Sequence, residues 1–150
     1  MAKKQLPEDF KEFIECLNSN NVRYLLVGGW AIGMHGYPRA TKDIDFLVSV
    51  KHDNLEKLEK TLIAFGGPPV KIELLKKKGY AIRMGNSPIQ IDIISEADGI
   101  DFDDCYKRKK IIKTEKVKIN VISKNDLIKN KRASGRTMDI ADAERLENIK

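Results

Sequence analysis

The stretch "VGGWAIGMHGYPRATKDIDFLV", residues 27–48, constrains this chain more than any other. An apolar run ends in Gly28-Gly29, a short helix-like segment follows, and Asp43-Ile44-Asp45 opens a second apolar run. Side chains alternate along a strand, so Asp43 and Asp45 share one face while Ile44 and Phe46 enter a core. Two carboxylates side by side raise each other's pKa unless a cation neutralises them. The fold must therefore place this strand with its mouth at a cation site or in open water.

A second acidic position lies in "IQIDIIS". Ile89, Ile91 and Ile93 alternate with Gln90 and Asp92, which leaves Asp92 as a lone charge on the opposite face of a buried strand. If that strand neighbours the Asp43–Asp45 strand, three carboxylates converge. Such a set suits hard divalent cations, two Mg²⁺ ions or Mn²⁺ in their place, at the roughly 3.5–4 Å separation used for in-line phosphoryl displacement. The glycines suit the same chemistry. A strand that ends in Gly28-Gly29 and runs into a helix aims backbone N–H groups outward, and a phosphate can approach them closely. Arg39, Thr41 and Lys42, on the loop between, are candidates for a triphosphate tail, with Arg39 able to make a bidentate contact.

The ordered set, "VGGWAIGMHGYPRATKDIDFLV" followed by "QIDII", resembles the nucleotidyltransferase fold of the DNA polymerase β superfamily. The Gly-Gly-Trp variant is similar to the branch that holds small aminoglycoside and lincosamide nucleotidyltransferases and abortive-infection-type toxins. The resemblance spans roughly residues 22 to 146, tight at the front motif and looser through "LIKNKRASGRTMDIADAERL". It implies that Gly28 and Gly29 contact nucleotide phosphate, that Asp43 and Asp45 bind both metals, and that Asp92 binds one metal and activates the acceptor hydroxyl. The reaction implied is transfer of a nucleoside monophosphate from a nucleoside triphosphate such as ATP to a hydroxyl, with release of pyrophosphate. The chain departs from the pattern at the glycine turn, where Gly29 and Trp30 stand in place of the serine that often follows the first glycine. The missing hydroxyl contact then falls to backbone N–H or to Thr41. A sizeable acceptor-binding second domain is not expected either, which leaves the acceptor site open, for a second subunit of a homodimer to complete as one option.

The rest of the chain reads as alternating helices and strands. Pro7, Glu8 and Asp9 open an amphipathic helix carrying Phe10, Phe13, Ile14 and Leu17. "RYLLVG" is a buried strand, and "HDNLEKLEKTLIAFGG" is a second amphipathic helix stopped by Gly66 and Gly67. "YAIRMG" and "IQIDIIS" form a hairpin across Asn86-Ser87-Pro88, and "KIIKTEKVKINVIS" gives another hairpin or edge strand. Ser123 opens a capping box with Asp126. Two helices close the chain, with Met138, Ala141 and Leu146 as inward candidates. The expected fold class is α/β (α+β): a mixed β-sheet flanked by helices, a minimal nucleotidyltransferase fold with a C-terminal helical pair. The expected organisation is one domain over 1–150, with a core at about 22–122 and helices at 123–150.

Each candidate also has a structural reading. Asp43 and Asp45 can be a solvated pair at a loop edge, Asp92 a solvent-facing strand residue, and Gly28-Gly29 only a tight turn. His35 fits a packing role on its helix, and Trp30 a core or pocket-wall role. The basic runs at 76–78 and 107–110 read as solvated faces without the interleaved aromatics of a base-stacking surface. Lys129, Lys131, Arg132 and Arg136 are basic candidates for the triphosphate, and the helical phase does not choose among them. Asp139 and Asp142 pair with these bases.

Net charge is +6, from 28 basic and 22 acidic residues, which favours anionic partners as much as plain solubility. No apolar stretch is long enough for a membrane span, no signal region follows the N-terminal lysines, and Cys16 and Cys105 fit reduced thiols; a cytoplasmic location is expected. The acceptor stays open among a small molecule, RNA and a protein side chain. The rival reading is a catalytically weak or inactive module on the same fold, a toxin–antitoxin-like component, or an RNA-modifying nucleotidyltransferase.

Overall fold

The computed structural model describes residues 6–37, 41–85 and 89–149. The turn expected at Asn86-Ser87-Pro88 and the loop residue Arg39 lie outside them. Six strands form one mixed sheet: β1 (Tyr24–Val27), β2 (Asp43–Val48), β3 (Ala81–Met84), β4 (Gln90–Ile94), β5 (Lys110–Thr114) and β6 (Val117–Val121), in the order β3-β4-β2-β1-β6-β5. β1 and β2 pair antiparallel, β2 and β4 pair parallel, and the outer strands β3 and β5 pair antiparallel with β4 and β6. Glu115 and Lys116 both take positive φ at the β5–β6 turn, the mirror-image geometry that two-residue hairpins need.

Among the described residues, six helices accompany the sheet: α1 (Glu8–Ser19), α2 (Gly28–Met34), α3 (His52–Phe65), α4 (Phe102–Lys107), α5 (Lys124–Ser134) and α6 (Thr137–Glu147). α1 buries the apolar stripe read from its spacing, Phe10, Phe13, Ile14 and Leu17, and its first turn carries Glu8 and Asp9. Phe13 packs on Phe46 of β2 and Phe65 of α3, with ring centroids 5.5 and 5.1 Å apart. These rings seal α1 and α3 against the side of β2 that carries Ile44 and Phe46, both fully buried. Truncating a core ring such as Phe13 to alanine costs about 3–5 kcal/mol.

Buried polar groups fix the joints between elements. Asn54 accepts from the Arg23 N–H (2.7 Å) and donates to the carbonyls of Ser49 (2.8 Å) and Arg23 (3.2 Å), tying α3 to the ends of β1 and β2. Ser123 caps α5 by accepting from the Asp126 N–H at 3.1 Å. Asp126 turns to a fork of two hydrogen bonds from Arg108, at 2.9 and 3.0 Å. Gly66 and Gly135 end α3 and α5 in the left-handed conformation. Met138, read as inward-facing, is exposed instead; α6 buries Asp142, Ala143 and Leu146, a stripe that starts one turn later.

Candidate active site

The two acidic strands lie side by side, and their register decides the site. Asp45 stands opposite Asp92 across the parallel β2–β4 pair, and Asp43 stands opposite Gln90. Extended over the sheet, one row reads Val27, Asp45, Asp92, Arg83 across β1, β2, β4 and β3. Residues opposite one another on neighbouring strands share a face, and so do Asp43 and Asp45 two residues apart. The apolar neighbours Ile44, Ile91 and Ile93 point the other way into the core and hold the acids on their side.

Burial pushes the Asp45 carboxyl up from 3.8 to about 6, and the charges of Asp92 and then Asp43 add to this. A hydrogen bond from the protonated Asp45 to Asp92 works in the same direction, and the Lys131 ammonium opposes it. Asp92 is also held from its other side. Arg83 Nε donates to Oδ1 at 2.8 Å and a terminal guanidinium nitrogen donates to Oδ2 at 3.4 Å. Among the described residues, no three acidic, histidine or cysteine side chains close into a ready metal-binding group.

Gly28 explains why the front motif needs a glycine. Its φ is +71°, and a Cβ there would stand 2.3 Å from Asp45 Oδ2. Only a residue without a side chain lets the start of α2 lie this close to the carboxylate. The glycine pair, read as a turn before the helix, forms the first residues of the helix itself, with Val27 as its cap residue. Thr41 packs over Gly29, where an added Cβ would meet its side chain at 3.2–3.3 Å, and its hydroxyl donates to the Asp43 carbonyl at 3.2 Å. Lys42 is exposed, and its carbonyl accepts the Gln90 N–H at 3.3 Å.

A cleft of about 570 Å³ opens beside these residues. Val27, Gly28 and Asp45 line one wall, residues 78–81 and 94–99 another, and Lys131, Ser134 and Arg136 the helical side. Of the basic residues near the chain's end, Lys131 is placed deepest, with its side chain 14% exposed and its ammonium 3.1 Å from Asp139 and 3.9 Å from Asp142. Its position depends on the α5–α6 packing, and Arg83 on strand register; neither is encoded in local spacing. His35 is engaged structurally, with Nε2 2.7 Å from the Ile122 carbonyl oxygen, and burial lowers its pKa. Trp30 is core, edge-on to Phe10 at 5.9 Å.

A family model described as aminoglycoside-2''-adenylyltransferase matches residues 9–146. Among solved structures, the chain is similar to the lincomycin-bound lincosamide antibiotic adenylyltransferase LnuA, with 18% identity and a TM-score of 0.63 over 98% of this chain and 100% of that one. It is similar to a putative nucleotidyltransferase from Thermotoga maritima, with 17% identity and a TM-score of 0.60 over 92% and 88% of the two chains. A third likeness is to ANT(2'')-Ia in complex with adenylyl-2''-tobramycin, with 14% identity and a TM-score of 0.59 over 91% and 84%. At these identities the solved structures show a shared fold. No curated protein sequence matches significantly.

Proposed function

This chain belongs to the aminoglycoside-2''-adenylyltransferase family, and from that premise we propose that it transfers AMP from ATP to a hydroxyl acceptor, releasing pyrophosphate, with Mg²⁺ held by Asp43, Asp45 and Asp92. The observation that carries this reading is the register that sets Asp45 against Asp92 beside a glycine into which no side chain fits.

The donor set suits the cation. All three groups offer hard oxygens, and a divalent ion offsets the burial, and the added charges of Asp92 and Asp43, that hold Asp45 near 6. Bound there, Mg²⁺ would neutralise charge on the triphosphate and make the acceptor hydroxyl easier to deprotonate. Asp92 takes the proton of that hydroxyl. The acceptor oxygen then bonds to the α-phosphorus as the bond to the pyrophosphate oxygen breaks. Backbone N–H groups at Gly28 and Gly29 face the phosphates, with the Thr41 hydroxyl beside them. Lys131, oriented by Asp139 and Asp142, supplies a positive charge at the cleft. Arg39 and Lys42 are assigned to the triphosphate tail on their charge and their place in the sequence between Gly29 and Asp43. Positioning and charge neutralisation supply most of the rate.

A cleft of this size accepts a small polar molecule. Two of the similar structures hold lincomycin and an adenylylated tobramycin, so hydroxylated antibiotics are the acceptors to try first. A supply of ATP and Mg²⁺ for this reaction fits a cytoplasmic location. The test is incubation of the protein with labelled nucleoside triphosphates, Mg²⁺ and a panel of such antibiotics. Adenylylated product should form with ATP and vanish for Asp45→Asn. Absence of triphosphate binding by calorimetry with Mg²⁺ present would sink the proposal.

A further inference from the structure

We infer that Arg83 is a resident counter-ion for Asp92, one that competes with divalent cations for the third carboxylate until the triphosphate arrives with them. The inference rests on the cation-binding reading of Asp43, Asp45 and Asp92.

Alternation along β3 sets Arg83 on the site face, because Ile82 and Met84 on either side of it are buried at 3% and 4% exposure. Register then puts it directly opposite Asp92. Its fork engages both oxygens of the carboxylate that stands opposite Asp45, so Asp92 meets a positive charge before any metal. The asymmetry of the pair matters more than its geometry. The Arg83 side chain is 63% exposed, whereas that of Asp92 is 11% exposed. The acid is fixed in the strand, and the guanidinium can swing into water at little cost. An ion pair with one partner this exposed is weak. It biases the empty site against a divalent ion at Asp92 without blocking one, and a metal that arrives coordinated to its triphosphate displaces it. Asp43 and Asp45 also favour the Arg83 charge, so it acts as counter-ion to the whole cluster.

The test measures Mn²⁺ binding to the full chain, from the electron paramagnetic resonance signal of the free ion, with and without a non-hydrolysable ATP analogue. Wild type, Arg83→Gln, Arg83→Lys and Asp45→Asn are compared at fixed ionic strength, and melting curves confirm that each folds. Without nucleotide, Arg83→Gln should bind Mn²⁺ about fivefold more tightly, the scale of a half-exposed ion pair. Arg83→Lys should stay near wild type, because it keeps the charge and loses only the fork. The gap should narrow when the analogue is present. If Mn²⁺ binds in an Asp45-dependent way and Arg83→Gln binds it equally or less tightly, the counter-ion role is overturned and the cation site stands. If neither wild type nor Arg83→Gln binds more Mn²⁺ than Asp45→Asn does, the cation site itself is wrong and the counter-ion role falls with it.

Discussion

Replacing Asp45 with asparagine should make the metal-free protein more stable while abolishing its chemistry. Asp45 is held at about 6 in the fold against 3.8 for the free side chain. At 1.36 kcal/mol per unit, ionising it in the folded state costs about 3 kcal/mol. The sign follows from the raised value. Below 3.8 the group is protonated in both folded and unfolded chains and exacts nothing. As pH rises through about 6 the folded state must give up a proton it prefers to keep, so stability falls, and the full deficit is present at pH 8. Asparagine has no proton to lose, and its amide can still donate to Asp92. For a chain of this size the gain corresponds to roughly 6 to 12 °C in melting temperature. The assay is thermal denaturation of both proteins in EDTA across pH 4 to 8, repeated at pH 8 with Mg²⁺ and a triphosphate analogue. The variant should lead by most at pH 8, the lead should close towards pH 4, and added metal and nucleotide should raise only the wild type. A variant no more stable at pH 8, or a lead that ignores pH, would refute the electrostatic account of this site.

Gly28→Ala should cost about 1–2 kcal/mol from its left-handed backbone. It should lower turnover much further, because the new methyl lands on Asp45 Oδ2; melting curves and product formation measured together separate the two effects. Arg108→Ala leaves the buried Asp126 carboxylate without its fork and should cost about 1–3 kcal/mol by urea denaturation. Burial opposes the ionised form of Asp126, but Arg108 and the Ser123 hydroxyl outweigh it and hold the pKa below its ordinary value. That stability is present above the unfolded pKa and lost as pH falls, so the Arg108 effect should shrink in acid. Asn54→Ala removes three hydrogen bonds at the α3 joint and should cost about 2–3 kcal/mol, read from the same denaturation curves.

Local pattern was enough to read much of this molecule. The 3.6-residue spacing of α1 and the two-residue alternation around Asp92 each report a buried face directly, and both faces lie where the spacing places them. The convergence of Asp45 and Asp92 was conditional on β2 and β4 being neighbours, which depends on how the whole chain winds, and the parallel pairing supplies that condition. Arg83 was not legible because its meaning depends on register between two strands, and a slip of one residue turns it to the other face. Lys131 differs from Lys129, Arg132 and Arg136 only through the packing of α6 against α5. α4 and the 3-10 turn at Ile72–Lys76 escaped because neither is long enough to show a period.

The parallel pairing of β2 with β4 also sets when the protein can begin to work. Asp45 and Asp92 meet only after α3, the 3-10 turn and β3 have been made and the chain has returned alongside β2. A loop that long closes slowly compared with a hairpin. During synthesis, then, the first two aspartates leave the ribosome well before the third, and a half-made chain holds a charged strand end paired with β1 on one side and with nothing yet on the β4 side.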